Sequence, residues 1–141
     1  MSMAREGQVL QGPNGMTLGF VRITGELLEM EAHYAGRGEL PPPHLHPRQL
    51  ERFTVINGAI RAVIDGEERR FAAGETFEVA AGSVHQMGGD GPADLRWEVR
   101  PALRTAEFFE TLYTGAAAED PAEFLERYAD EFQLVSSSRA G

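Results

Sequence analysis

Apolar and polar residues alternate with a period of two along much of the stretch from about residue 7 to 100. Leu28, Met30, Ala32 and Tyr34 alternate with Glu29, Glu31 and His33, which predicts a strand with one buried and one wet face. Leu95, Trp97 and Val99 alternate in the same way with Arg96, Glu98 and Arg100. Glu51, Phe53 and Val55 share one face of a further strand. Two turn signals interrupt the pattern. Asn57-Gly58 and Asp65-Gly66 are both dipeptides that accept the left-handed backbone of a two-residue hairpin. Pairing across the first would set Val55 opposite Ile60 and Phe53 opposite Ala62. Many short strands with frequent Gly, Pro and Asp turns predict an all-β antiparallel sandwich or barrel.

The period changes after residue 104. Thr105 is positioned to cap a helix whose apolar face is Phe108, Phe109, Leu112 and Tyr113. Asp120-Pro121-Ala122-Glu123 predicts the start of a second helix, with a capping acid, proline at the first helical position and glutamate at the third. Phe124, Leu125, Tyr128 and Phe132 follow at helical spacing. The expected organisation is a β-barrel domain over residues 1–104, a helical hairpin over 105–135 belonging to the same domain, and a frayed tail over 136–141. The two aromatic helix faces are expected to pack on the outside of the barrel or on a partner subunit.

Composition narrows the chemistry. The chain of 141 residues suits one domain. It contains no cysteine, which excludes disulfides, thiolate metal sites and cysteine nucleophiles. All 13 basic residues are arginine, so no Schiff-base lysine is present. The formal charge is −9, and residues 105–141 carry two arginines against eight acidic residues. An acidic chain without a basic stripe predicts neither nucleic-acid nor membrane partners. No apolar run approaches the ~20 residues of a membrane span. Met1 to Gly12 has no basic region followed by an apolar stretch, so no signal peptide is expected and a cytoplasmic location is the default.

The residues that carry chemistry cluster at 44–51. In a strand, His44-Leu45-His46 puts both imidazoles on one face, and Pro41-Pro42-Pro43 stiffens the approach. Four residues then separate His46 from Glu51, enough to turn into a neighbouring strand. His85 follows the small turn Ala80-Ala81-Gly82-Ser83. Three imidazoles and a carboxylate form an N/O donor set suited to one divalent transition metal: Fe, Mn, Ni, Zn or Cu. An HxH pair alone is equally a surface histidine pair. Economy favours the site, since it takes three of the four histidines in the chain. The fourth, His33, lies on a polar strand face and is expected to be exposed.

These residues resemble the cupin superfamily. Its first motif, G-x5-HxH-x4-E-x6-G, is matched by Gly38, His44, His46, Glu51 and Gly58. Its second, G-x5-P-x-G-x2-H-x3-N, is matched by Gly74, Gly82 and His85, with Ala80 in place of proline and Gly89 in place of asparagine. Neither departure is at a ligand position. The resemblance implies a double-stranded β-helix, or jelly-roll barrel, with the metal inside and often a homodimer.

A metal held by four side chains in an open barrel keeps positions for substrate or dioxygen. By parity with Glu51, the expected pocket lining is Phe53, Val55, Ile60, Ala62 and Ile64, with Met87 from the His85 strand. That lining suits a hydrophobic or aromatic small molecule, and equally it could simply fill a small barrel. Three classes follow: a dioxygenase-like oxidoreductase, a non-redox isomerase or polyketide cyclase, and a non-catalytic binding or sensing module. An enzyme is favoured over a binder and an oxygenase over the non-redox class, with Glu51 as the group that moves protons.

Overall fold

In the computed structural model, which describes residues 4–135, the alternation of apolar and polar side chains builds two antiparallel sheets. Among the described residues the strands are β1 (Val9–Gln11), β2 (Thr17–Ile23), β3 (Leu28–Tyr34), β4 (His44–Leu45), β5 (Leu50–Asn57), β6 (Ala59–Ile64), β7 (Glu67–Ala72), β8 (Thr76–Val79), β9 (His85–Gly89), β10 (Ala93–Arg100) and β11 (Gln133–Leu134). One sheet has the order β1-β2-β3-β10-β5-β8 and the other β11-β4-β9-β6-β7. Their inner faces meet in one core that includes Leu18, Phe20, Leu28, Met30, Phe53, Val55, Ile60 and Leu95, each at most 1% exposed. This is the all-β jelly-roll architecture expected, with helices α1 (Thr105–Tyr113) and α2 (Pro121–Arg127) following the barrel.

The two hairpin signals have different outcomes. Asp65-Gly66 is a two-residue hairpin: both residues have positive φ, and Ile64 pairs with Glu67 across it. Asn57-Gly58 is a corner between sheets. β5 pairs with β10 and β8, whereas β6 pairs with β7 and β9, so Val55 does not face Ile60 across a ladder. Gly58 has φ +73, and a Cβ there would lie 2.1 Å from the Pro92 carbonyl oxygen. The glycine is needed because the chain leaves one sheet against the backbone at 92–93, a long-range approach that local pattern does not reveal.

The two C-terminal helices expected within 105–135 are both present, and they cover less of that stretch than the aromatic spacing suggests. Thr105 is the first residue of α1 and not its cap, because its hydroxyl accepts a hydrogen bond from Gln49 Nε2 at 2.7 Å. Asp120 does cap α2, accepting from the Glu123 N–H. However, α2 stops at Arg127, and the chain then runs to β11, which pairs with β4 of the barrel. Tyr128 and Phe132 are therefore not on a helix face. Tyr128 is buried against Phe108 and Phe124, and Phe132, partly buried, stacks on Phe108. The tail expected at 136–141 lies outside the described residues.

Candidate metal centre

His44 and His85 sit directly opposite each other in the pairing of β4 with β9. His46 follows β4, and Glu51 enters from β5 in the other sheet, with its side chain turned into the barrel at 1% exposure. The strand parity that buries Phe53 and Val55 thus also buries Glu51. His33 stands apart on the exposed surface, with Nδ1 2.8 Å from Asp94 Oδ1.

The three imidazoles converge. Each offers a nitrogen, and these atoms all lie within 4.8 Å of one another. Their Nδ1 atoms are taken up by backbone carbonyls: His44 by Pro42 at 2.9 Å, His46 by Glu131 at 2.7 Å and His85 by Ser83 at 3.1 Å. A neutral imidazole that donates from Nδ1 presents a lone pair at Nε2, so anchoring at Nδ1 leaves Nε2 as the atom through which each ring would ligate. Glu51 completes the set. Its Oε1 lies 3.0 Å from His85 Nε2 and 3.4 Å from His46 Nε2, while its Oε2 accepts from Trp97 Nε1 at 2.9 Å.

Electrostatics supports a cation at this point. Glu51 Oε1 and His46 Nε2 are fully buried and neither makes a well-aligned hydrogen bond, although Oε1 lies close to the Nε2 atoms of His85 and His46. A proton can bridge one nitrogen–oxygen pair, whereas a metal ion satisfies several converging lone pairs at once. Burial would raise the Glu51 pKa, but His46, His85 and Trp97 outweigh it and hold the carboxylate below its ordinary value. Burial opposes the His85 imidazolium, yet Glu51 holds its pKa above the ordinary value. Burial and the neighbouring His85 push His44 down to about 4. His44 is therefore a neutral donor near neutrality, as a metal ligand must be.

Beside the imidazoles lies a cavity of about 770 Å³. Phe53 and Met87 line it. Val55, Ile60, Ala62 and Ile64 are not in the lining; the first three are fully buried in the core and Ile64 packs against it. The barrel is filled at that end, and the open space lies at the end the C-terminal segment covers. Trp97, Phe108, Phe109, Leu112 and Phe132 supply much of the wall. Trp97 was accessible to reasoning in principle, since it shares the buried face of Leu95 and Val99. Its place beside Glu51 depends on the register that sets it opposite Phe53. The phenols of Tyr34 and Tyr113 are the polar groups on the aromatic wall. Burial raises the pKa of both, that of Tyr113 to about 12, so both are neutral donors.

The cupin domain family model matches residues 30–99, the stretch that carries His44, His46, Glu51 and His85. The chain belongs to the cupin superfamily. Among curated proteins this cupin is 31% identical over 64 residues to quercetin 2,3-dioxygenase of Bacillus subtilis, covering 45% of the chain and 19% of that protein. It therefore spans less than a fifth of that relative's length. Among solved structures, an RmlC-like cupin from Shewanella frigidimarina aligns with a TM-score of 0.64 at 19% identity, over 74% of this chain and 93% of that one. KdgF from a Halomonas species aligns with a TM-score of 0.60 at 22% identity, over 67% and 86% of the two chains. These two likenesses concern the fold. No helix among the described residues is long and apolar enough to cross a membrane.

Proposed function

We propose that this cupin is a metal-dependent enzyme of small molecules, and that it is a dioxygenase acting on a hydrophobic, aromatic substrate with an ionisable oxygen. The observation that carries the reading is the junction of two features. Three imidazoles and a buried carboxylate converge at the edge of a largely aromatic cavity of about 770 Å³. The likeness to a quercetin 2,3-dioxygenase over 64 residues leans the same way.

In this reading His44, His46 and His85 hold a divalent transition metal through Nε2, and Glu51 adds Oε1. When bound, such an ion supplies Lewis acidity and, if redox-active, a path for electrons between substrate and dioxygen. The chain's own residues do the rest. Trp97, Phe108, Phe109 and Phe132 clamp a flat apolar ring system and exclude water from it. The Tyr34 and Tyr113 phenols donate hydrogen bonds to oxygens on the substrate. Glu51 Oε1 can accept a substrate proton only when it is not ligating the metal, and Trp97 holds Oε2 in place in either role.

The test is dioxygen consumption by protein loaded with Fe(II), Mn(II) or Ni(II) and offered aromatic enols and diols. Uptake that depends on both metal and substrate is the expected result. Equal product formation under strict anaerobiosis would move the protein to the non-redox class of isomerases and cyclases. Ligand binding without turnover, whatever the metal, would make it a binding or sensing module. The metal found in protein purified without added metal discriminates further: Fe supports the oxygenase and Zn the non-redox class.

A further inference from the structure

β4, which carries His44 and leads into His46, is held as much by the C-terminal segment as by the barrel. β4 is two residues long and meets β9 at a single pair, His44 with His85. On its other side it meets β11 at two pairs, His44 with Leu134 and Leu45 with Gln133. The Val135 N–H donates to the Pro43 carbonyl at 3.1 Å, extending that contact toward the triproline.

The same segment touches the imidazoles themselves. The Glu131 carbonyl takes the Nδ1 proton of His46 at 2.7 Å and so fixes which nitrogen of that ring faces the centre. The Phe132 ring stacks on His44, with centroids 4.9 Å apart and planes at 22°, and meets His46 edge-on at 5.9 Å. What anchors the segment is an ion pair. Glu131, 3% exposed, binds the Arg104 guanidinium at 3.3 Å and also accepts from the Arg104 backbone N–H at 3.2 Å. Arg104 lies over the Tyr128 ring at 4.9 Å and donates to the Arg127 carbonyl, so it ties the start of α1 to the chain just after α2.

We propose that residues 131–134, pinned by the Arg104–Glu131 ion pair, are a positioning element of the metal centre, so that docking of this strap and metal binding reinforce each other. The inference rests on the metal-centre reading above. The physical reason is linkage. A strap that orients His46 and packs on His44 raises metal affinity by some factor, and the metal must favour docking of the strap by the same factor. The strap also forms part of the cavity wall through Phe132 and Leu134. Its undocking would therefore open the cavity and loosen the ligands in one movement.

Co(II) is the probe, because it reports affinity and coordination geometry without any turnover. Phe132→Ala and Arg104→Ala should each weaken Co(II) binding by about tenfold or more, the scale of outer-shell partners of metal ligands. Both should alter the Co(II) d–d absorption, and Arg104→Lys should recover part of the loss. In the unaltered protein, Co(II) should slow amide hydrogen exchange in a peptide spanning residues 128–135, a readout independent of any variant's folding. The proposal is overturned if both variants bind Co(II) within about twofold of the unaltered protein with the same spectrum. It is equally overturned if exchange in 128–135 is the same with and without Co(II). An unaltered protein that binds no Co(II), Zn(II) or Fe(II) would remove the metal centre itself, and this inference with it.

Discussion

Trp97 donates its indole N–H to Oε2 of Glu51 at 2.9 Å, which leaves Oε1 as the carboxylate oxygen that faces His46 and His85. The two residues come from neighbouring strands, β10 and β5, and neither oxygen of the carboxylate has access to bulk water. The indole therefore offsets part of the desolvation cost of Glu51 and orients the carboxylate with Oε1 toward the imidazoles.

Trp97→Phe should accordingly destabilise the fold by about 1–3 kcal/mol, because a buried carboxylate oxygen loses its donor. Urea unfolding should show a lower midpoint with an unchanged slope. A midpoint equal to that of the unaltered protein would mean that Glu51 Oε2 finds another donor.

Trp97 is the single tryptophan of the chain, so its fluorescence reports on the centre directly. Co(II) or Cu(II) bound beside Glu51 should quench the emission in a saturable titration with a one-to-one end point. His46→Ala should abolish the saturable phase. Emission that responds identically in both proteins would place the metal elsewhere.

The four candidate ligand side chains should not be equivalent. His44→Ala or His46→Ala should remove most bound metal, measured by elemental analysis on protein whose circular dichroism is unchanged. Glu51→Gln leaves three imidazoles and an acceptor for Trp97, so it should bind metal more weakly but still bind it. Turnover should nevertheless fall by about two orders of magnitude, the scale of a positioned base. Full turnover in Glu51→Gln would reduce Glu51 to a spare ligand.

Two glycines with similar backbone angles should respond differently to alanine. Gly66, at φ +85, has nothing within 4 Å of an added Cβ, so Gly66→Ala should cost only the left-handed strain of about 1–2 kcal/mol. Gly58→Ala adds a contact of 2.1 Å with the Pro92 carbonyl oxygen and should be clearly more destabilising. Equal melting temperatures for the two variants would contradict the corner geometry described above.

Strand content, the Asp65-Gly66 hairpin, the Asp120 cap and the grouping of His44, His46 and Glu51 were legible in the sequence because each depends on residues a few positions apart. Alternation put Glu51 on the face of Phe53 and Val55, and the HxH spacing put two imidazoles side by side. The cavity was not legible in the same way. Which inward residues border open space and which fill the core depends on where the barrel closes: Phe53 and Met87 border the cavity, whereas Val55, Ile60, Ala62 and Ile64 pack in or against the core.

Residues 105–135 show the division most clearly. Their aromatic spacing marked them as a segment that must bury an apolar face, on the barrel or on a partner subunit. The chain beyond Arg127 leaves the helix because Phe132 gains contacts with His44 and Phe108 while β11 gains partners in β4. Those partners lie about 90 residues away in the chain, and helical propensity is too weak to prevail over such contacts. The sequence by itself determined which side chains could ligate a metal and which had to be buried. Tertiary structure alone decided that a tryptophan would hold the carboxylate, that the C-terminal strap would hold the imidazoles, and that the space between them would be an aromatic cavity, because each depends on register and closure between distant strands.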